Sequence, residues 1–169
     1  GIGFFTNDGK SVGAVELEPD ASGLVQTVFR IVSLEDGSEV YRFTSPPQAI
    51  DPSEGGPGEW TYIDRNDPAR NVYAMDYSSG GSARKITHFT DGRLTDHEWS
   101  PDLRRIAVVR HDDNGENLWV VNADGSAPKQ ITKFDGEDIV EFDWTLDSKR
   151  VVVRAGTQSR DVVLISNLR

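Results

Sequence analysis

Cysteine is absent from these 169 residues, which removes disulfides, thiolate catalysis and thiolate metal ligation while leaving an oxidising compartment open. No apolar run approaches the roughly 18 to 20 residues of a membrane span, so membrane insertion is not expected. Basic residues are scarce: 18 Lys plus Arg stand against 28 Asp plus Glu, a net charge of -10. That balance lacks the footprint needed for a phosphate backbone, and nucleic acid is not an expected partner. Gly1-Ile2-Gly3-Phe4-Phe5 shows no basic segment, apolar stretch and cleavage site; an export signal is read as removed or never present. Helical periodicity is missing throughout. What remains is 36% hydrophobic and 27% charged residues with a mean hydropathy of -0.50, the balance of a folded globular chain. The charge is uneven, with 11 acids and 3 bases in residues 1–64 (net -8) and 17 and 15 in the rest (net -2). Scattered among apolar residues, the acids read as a solubilising surface.

The second half of the chain repeats itself at a spacing near 45 residues. Glu98-Trp99-Ser100-Pro101-Asp102 returns as Asp143-Trp144-Thr145-Leu146-Asp147, and Arg105-Ile106-Ala107-Val108-Val109 as Arg150-Val151-Val152-Val153-Arg154. Ile86, Thr87 and Phe89 return as Ile131, Thr132 and Phe134, while Asn71-Val72-Tyr73 returns as Asn117-Leu118-Trp119 and as Asp161-Val162-Val163. Each unit reads as four strands. One ends at the tryptophan; a Pro-Asp or Leu-Asp turn leads to a β-branched second strand; a polar loop leads to a third; and the turn Asn122-Ala123-Asp124-Gly125 leads to a short fourth near Lys129–Thr132. Asp8, Asp102 and Asp147 share the first-turn position, where a short acid accepts backbone N–H bonds. Earlier units are more degenerate: Phe29–Leu34 fits a third strand, Glu35–Ser38 a second turn and Trp60–Ile63 a second strand. Asp51–Gly58, rich in Pro and Gly, is expected to be a loop in place of a first turn.

Four short antiparallel strands per 40 to 50 residues, repeated, predict an all-β fold of β-propeller blades. The expected blades are 1–45, 46–90, 91–134 and 135–169 of a single propeller segment, the last stopping after its third strand. Trp-Ser-Pro-Asp, the basic-Ile-Ala-Val strand, Asn-Leu-Trp-Val-Val-Asn-Ala-Asp-Gly and Pro-Lys-Gln-Ile-Thr resemble the TolB-like, or PD40, class of WD40-like repeat. The ending Arg160–Asn167 is similar to last blades of propellers appended to bacterial serine/threonine kinases and winged-helix regulators. The resemblance implies a rigid binding platform, commonly of six to eight blades and extracytoplasmic, and no particular chemistry. Four periods then imply the C-terminal part of a longer protein. An open four-blade arc would leave an apolar face at each end, expected to be covered by further blades or, in the isolated fragment, by self-association.

No catalytic residues, cofactor or metal ligands are assigned. The serine elbow Gly-x-Ser-x-Gly is absent, and Ser78-Ser79-Gly80-Gly81-Ser82 reads as a turn. His88, His97 and His111 lack zinc spacing and read as surface or rim histidines beside strand ends and loops. Asp112-Asp113-Asn114-Gly115-Glu116 departs from a calcium loop and reads as a solvated hairpin. Gly55-Gly56-Pro57-Gly58 has no following Lys-Ser/Thr to cradle phosphate. Trp60, Trp99, Trp119 and Trp144 read as blade-to-blade packing. Two functions follow: a non-catalytic module binding a protein or small ligand, or the propeller part of a prolyl-oligopeptidase-type hydrolase whose catalytic residues lie elsewhere.

Overall fold

The computed structural model describes residues 2–6, 9–56, 58–76 and 83–157, and among these there is no helix. Three four-stranded antiparallel sheets run in chain order. The first holds β1 (Ile2–Phe5), β2 (Ser11–Pro19), β3 (Val25–Ser33) and β4 (Glu39–Thr44). The second holds β5 (Ala49–Glu54), β6 (Glu59–Asp64), β7 (Val72–Asp76) and β8 (Arg84–Lys85). The third holds β9 (Arg93–Trp99), β10 (Arg105–Asp112), β11 (Gly115–Asn122) and β12 (Lys129–Gln130), and a fourth sheet pairs β13 (Asp138–Trp144) with β14 (Val151–Gly156). This is the blade pattern of a β-propeller. Arg160–Asn167, Ser78–Ser82 and Asp8 lie outside the described residues.

Alternation of side chains along each strand gives every sheet two faces, and in the third sheet both are packed. In β10, Ile106 and Val108 join Ile63, Val72, Leu94 and Val121 on the side of the second blade. Ala107 and Val109 join Leu118, Phe142 and Trp144 on the side of the fourth. An uninterrupted Ile-Ala-Val-Val run is therefore required, since both faces of this strand are buried. Between the first two blades Phe29 packs against Trp60 and Phe43, with ring centroids 4.2 and 5.0 Å apart.

One hydrogen-bond lock explains why Asn, Thr and Phe recur together. In the second blade Asn71 Oδ1 accepts from Thr87 Oγ1 (2.9 Å) and the Phe89 N–H (2.8 Å), while Thr87 Oγ1 accepts from the Val72 N–H (2.9 Å). In the third, Asn117 Oδ1 accepts from Thr132 Oγ1 (3.0 Å) and the Phe134 N–H (2.8 Å), and Thr132 Oγ1 from the Leu118 N–H (2.8 Å). The lock closes the chain leaving each short outer strand onto the strand before it.

Two expectations need correction. Asp51–Glu54 is not loop but the inner strand β5, with a bulge between Ile50 and Ser53. Pro52 sits in that bulge, where its missing N–H breaks no ladder bond, and Asp51 takes φ +51°. Of the expected loop, the described residues Gly55, Gly56 and Gly58 lie outside the strands, and the Gly55 N–H donates to the Glu59 carbonyl at 3.0 Å. The outward face of the first sheet also departs from the expected apolar end. Arg30 pairs with Glu39 (2.8 Å) and Glu16 (3.5 Å), and Arg42 pairs with Glu18, so an ion-pair ladder crosses it. Exposed pairs add little stability, but they keep that face wet.

The first turns of the third and fourth blades place Leu103 and Ser148 in the left-handed region, at φ +57° and +58°. Ser148 is compensated: its Oγ accepts from the Asp102 N–H at 3.0 Å and its carbonyl accepts from Arg105. Leu103 has no such role. Leu103→Gly is expected to raise the thermal midpoint, relieving about 1 kcal/mol of backbone strain against a smaller entropic cost. An unchanged or lower midpoint would show that Leu103 packing outweighs the strain.

Candidate functional site

The densest polar constellation joins the second and third blades. Asp51 on β5 and Thr61 on β6 reach His97 and Trp99 on β9. Asp51 Oδ2 accepts from both the backbone N–H of His97 and its ring Nδ1, each at 2.8 Å. His97 Nε2 lies 2.8 Å from Thr61 Oγ1, which also accepts from Trp99 Nε1 at 3.1 Å and lies 3.2 Å from the Ser53 carbonyl. With Nδ1 donating to the carboxylate, the Thr61 proton goes either to Nε2, leaving a neutral ring, or to Ser53, leaving an imidazolium.

Hydroxyl, imidazole and carboxylate in that order is the arrangement that activates a nucleophile. Access decides against it here. Thr61 is fully buried and His97 is 3% exposed, and Thr61 Oγ1 is shared among three groups. No substrate carbonyl can approach the oxygen. The constellation therefore acts as a joint between blades.

Carboxyl groups crowd the same inner edge, where β9 lies beside both β5 and β13. Burial pushes Asp96 up to about 7, helped by the charge of Asp51 and a bond to it. Burial likewise raises Glu98 to about 7, with Asp143 as the neighbouring charge. For Asp51 burial acts upward too, but the His97 bond and charge outweigh it and hold the carboxyl below its ordinary value. A raised carboxyl binds protons more tightly folded than unfolded, so Asp96 and Glu98 favour the fold at acid pH, and that contribution fades as pH rises from about 4 through about 7. The double variant Asp96→Asn, Glu98→Gln is expected to be more stable than the parent at pH 8, by about 1 kcal/mol after allowing for solvent screening of groups that are only partly buried, and level with it near pH 4. Chemical denaturation at both pH values checks this; a constant difference would contradict it.

The other residues weighed in the sequence are dispersed. His97 is a correction: it lies within β9 and is buried, not on a rim. His88 falls in the loop after β8, and His111 near the end of β10, 3.9 Å from Glu116. Asp113 and Asn114 form the turn between β10 and β11. Glu116 is not merely solvated, because its Oε2 accepts from the Ile139 N–H of the fourth blade at 2.9 Å. Among the described residues no group of three His, Asp or Glu side chains is placed to hold a metal. The tryptophans sit between blades: Trp60 and Trp144 are buried, and Trp119 meets the Phe89 edge at 5.7 Å with Arg110 over its ring at 5.2 Å.

The joint has a signal in the sequence. His97 stands 45 residues before Phe142, so a polar residue occupies a slot that is apolar in the next unit. Asp51 stands 45 before Asp96, an inner-strand match masked by the Pro and Gly that follow it.

No protein-family model and no curated protein matches the chain. Among solved structures it is similar to TolB from Acinetobacter baumannii, at 14% identity and a TM-score of 0.63, over 88% of this chain and 36% of that one. It is also similar to the β-propeller domain of the Trilobed protease from Pyrococcus furiosus, at 12% identity and a TM-score of 0.55, over 94% of this chain and 49% of that one. The acylaminoacyl peptidase of Pyrococcus horikoshii matches at 18% identity and 0.51, over 93% and 28%. The fold is thus that of a β-propeller. The chain spans about a third of the length of the Acinetobacter TolB.

Proposed function

We propose that the chain is a non-catalytic propeller module, the binding scaffold or sensor part of a larger bacterial protein. The observation that carries this reading is the sealing of Thr61, His97 and Asp51 inside a blade joint. The one hydroxyl–imidazole–carboxylate relay among the described residues is spent on holding blades together. A rigid array of sheets presenting loops and turns is suited to binding rather than to covalent chemistry.

A second reading is favoured by the likeness to peptidase propellers: the segment would restrict access to a catalytic domain carried elsewhere in the parent. Labelling the full-length parent with a fluorophosphonate separates the two. No labelling is expected. Labelling, together with cleavage of longer peptides once residues 1–169 are deleted, would replace the scaffold reading with the gating one.

A further inference from the structure

A cavity of about 510 Å³ opens between the third and fourth blades, at the end where their first turns lie. That volume falls within the roughly 300–1,000 Å³ typical of small-ligand sites. Four cationic side chains line it, Arg105, Lys129, Lys149 and Arg150, and no carboxylate does. In a chain of net charge -10 this is a local reversal of sign. We infer that the cavity binds a small organic anion, a carboxylate carried on an aromatic or branched apolar group.

The walls divide the work. Trp144, 6% exposed, and Ile131, 48% exposed, supply apolar surface. Arg105 is fixed in place, its guanidinium 5.0 Å from the Trp144 ring centre and donating to the Ser148 carbonyl. That bond also ties the turns of the two blades together. The carboxylates of those turns are engaged within them: Asp102 Oδ1 accepts from Ser100 Oγ (2.7 Å) and the Arg104 N–H (3.1 Å), and Asp147 Oδ1 from Thr145 Oγ1 (2.6 Å) and the Lys149 N–H (3.1 Å). Among the described residues Lys129, Lys149 and Arg150 form no ion pair. The charge of Arg150 is partly offset by the Asp147 carboxylate, which it helps to hold below its ordinary value, so Lys129 and Lys149 supply most of the attraction for an incoming anion while Trp144 and Ile131 meet its apolar body.

The basic side chains arise from the repeat itself. Asp102-Leu103-Arg104-Arg105 and Asp147-Ser148-Lys149-Arg150 occupy the same place 45 residues apart, so neighbouring blades set their cations side by side. The first blade has Asp8-Gly9-Lys10-Ser11 and the second Gly56-Pro57-Gly58-Glu59 in that stretch, so two consecutive cations occur at this turn in the third and fourth blades and not in the first two.

Calorimetric titration of the full chain with naphthalene-2-carboxylate tests this, with naphthalene-2-carboxamide as the neutral control. The carboxylate is expected to bind several-fold tighter than the amide and to weaken as salt is raised. Lys149→Gln and Arg150→Gln, both on exposed side chains, should each weaken it about two- to fivefold, and Lys133→Gln outside the cavity should not. Ile131→Ser should weaken both compounds alike. Equal affinity for acid and amide, indifference to Lys149→Gln, or no binding at millimolar concentration would each overturn the inference. None of these outcomes depends on whether the parent is a peptidase, so this test and the fluorophosphonate test fail separately.

Discussion

Thr61→Val is expected to cost roughly 2–5 kcal/mol of stability, although the two side chains are almost the same shape. The substitution leaves the Trp99 indole N–H and the His97 Nε2 without their common partner in a buried place, and each orphaned polar group costs about 1–3 kcal/mol. Urea unfolding followed by tryptophan fluorescence reads the loss; less than about 0.5 kcal/mol, the low end for a single hydrogen bond, would mean that the joint holds nothing together. A second variant sharpens the test. Phe142 fills the slot of His97 in the next unit, so the triple replacement Asp51→Asn, Thr61→Val, His97→Phe puts an apolar contact in place of the imidazole relay, while the asparagine at position 51 tolerates the φ of +51° and keeps an oxygen for the backbone N–H of residue 97. Removing a whole buried polar network is often less costly than removing one member. The triple variant is therefore expected to be more stable than Thr61→Val alone.

How much of this is legible depends on how far apart the interacting residues lie in sequence. The blades can be read because their main determinants repeat: Trp99 and Trp144, the β-branched second strands, and the Asn–Thr–Phe lock of Asn71, Thr87 and Phe89, whose members sit within one unit. Inner strand β5 reads as a loop because Pro52 and the glycines after it signal a turn locally. Pairing with Thr61 and Trp60 across a bulge overrides that signal. The Asp51–His97 contact joins different blades 46 residues apart, and only comparison of the repeats, His97 against Phe142 and Asp51 against Asp96, sets these residues apart. The cavity between the last two blades is hidden for the same reason. Its cations belong to separate elements, Arg105 on β10, Lys129 on β12 and Lys149 and Arg150 just before β14, and only the stacking of blades brings them together.

Gly125→Ala should destabilise the chain by roughly 3 kcal/mol or more, and the reason is contact between blades rather than turn strain alone. Gly125 ends the turn after β11 at φ +80°, and a Cβ there would lie 1.9 Å from the carbonyl oxygen of Ile86 and 2.8 Å from its carbon. Ile86 cannot retreat, being 1% exposed with its N–H donating to the Val72 carbonyl at 2.8 Å. The turn must therefore move outward, opening the core shared by Ile63, Val72, Ile106 and Val121 and adding an overpacking cost of about 1–3 kcal/mol to the backbone penalty. Gly136 supplies the control. Its φ of +81° is nearly the same, but nothing lies within 4 Å of its Cβ position, so Gly136→Ala should cost only the backbone penalty of about 1–2 kcal/mol. Thermal unfolding of the two variants isolates the contact as their difference. Equal losses would mean that the second and third blades do not meet at Gly125, and with that the close packing that seals Thr61 and His97 would lose its support.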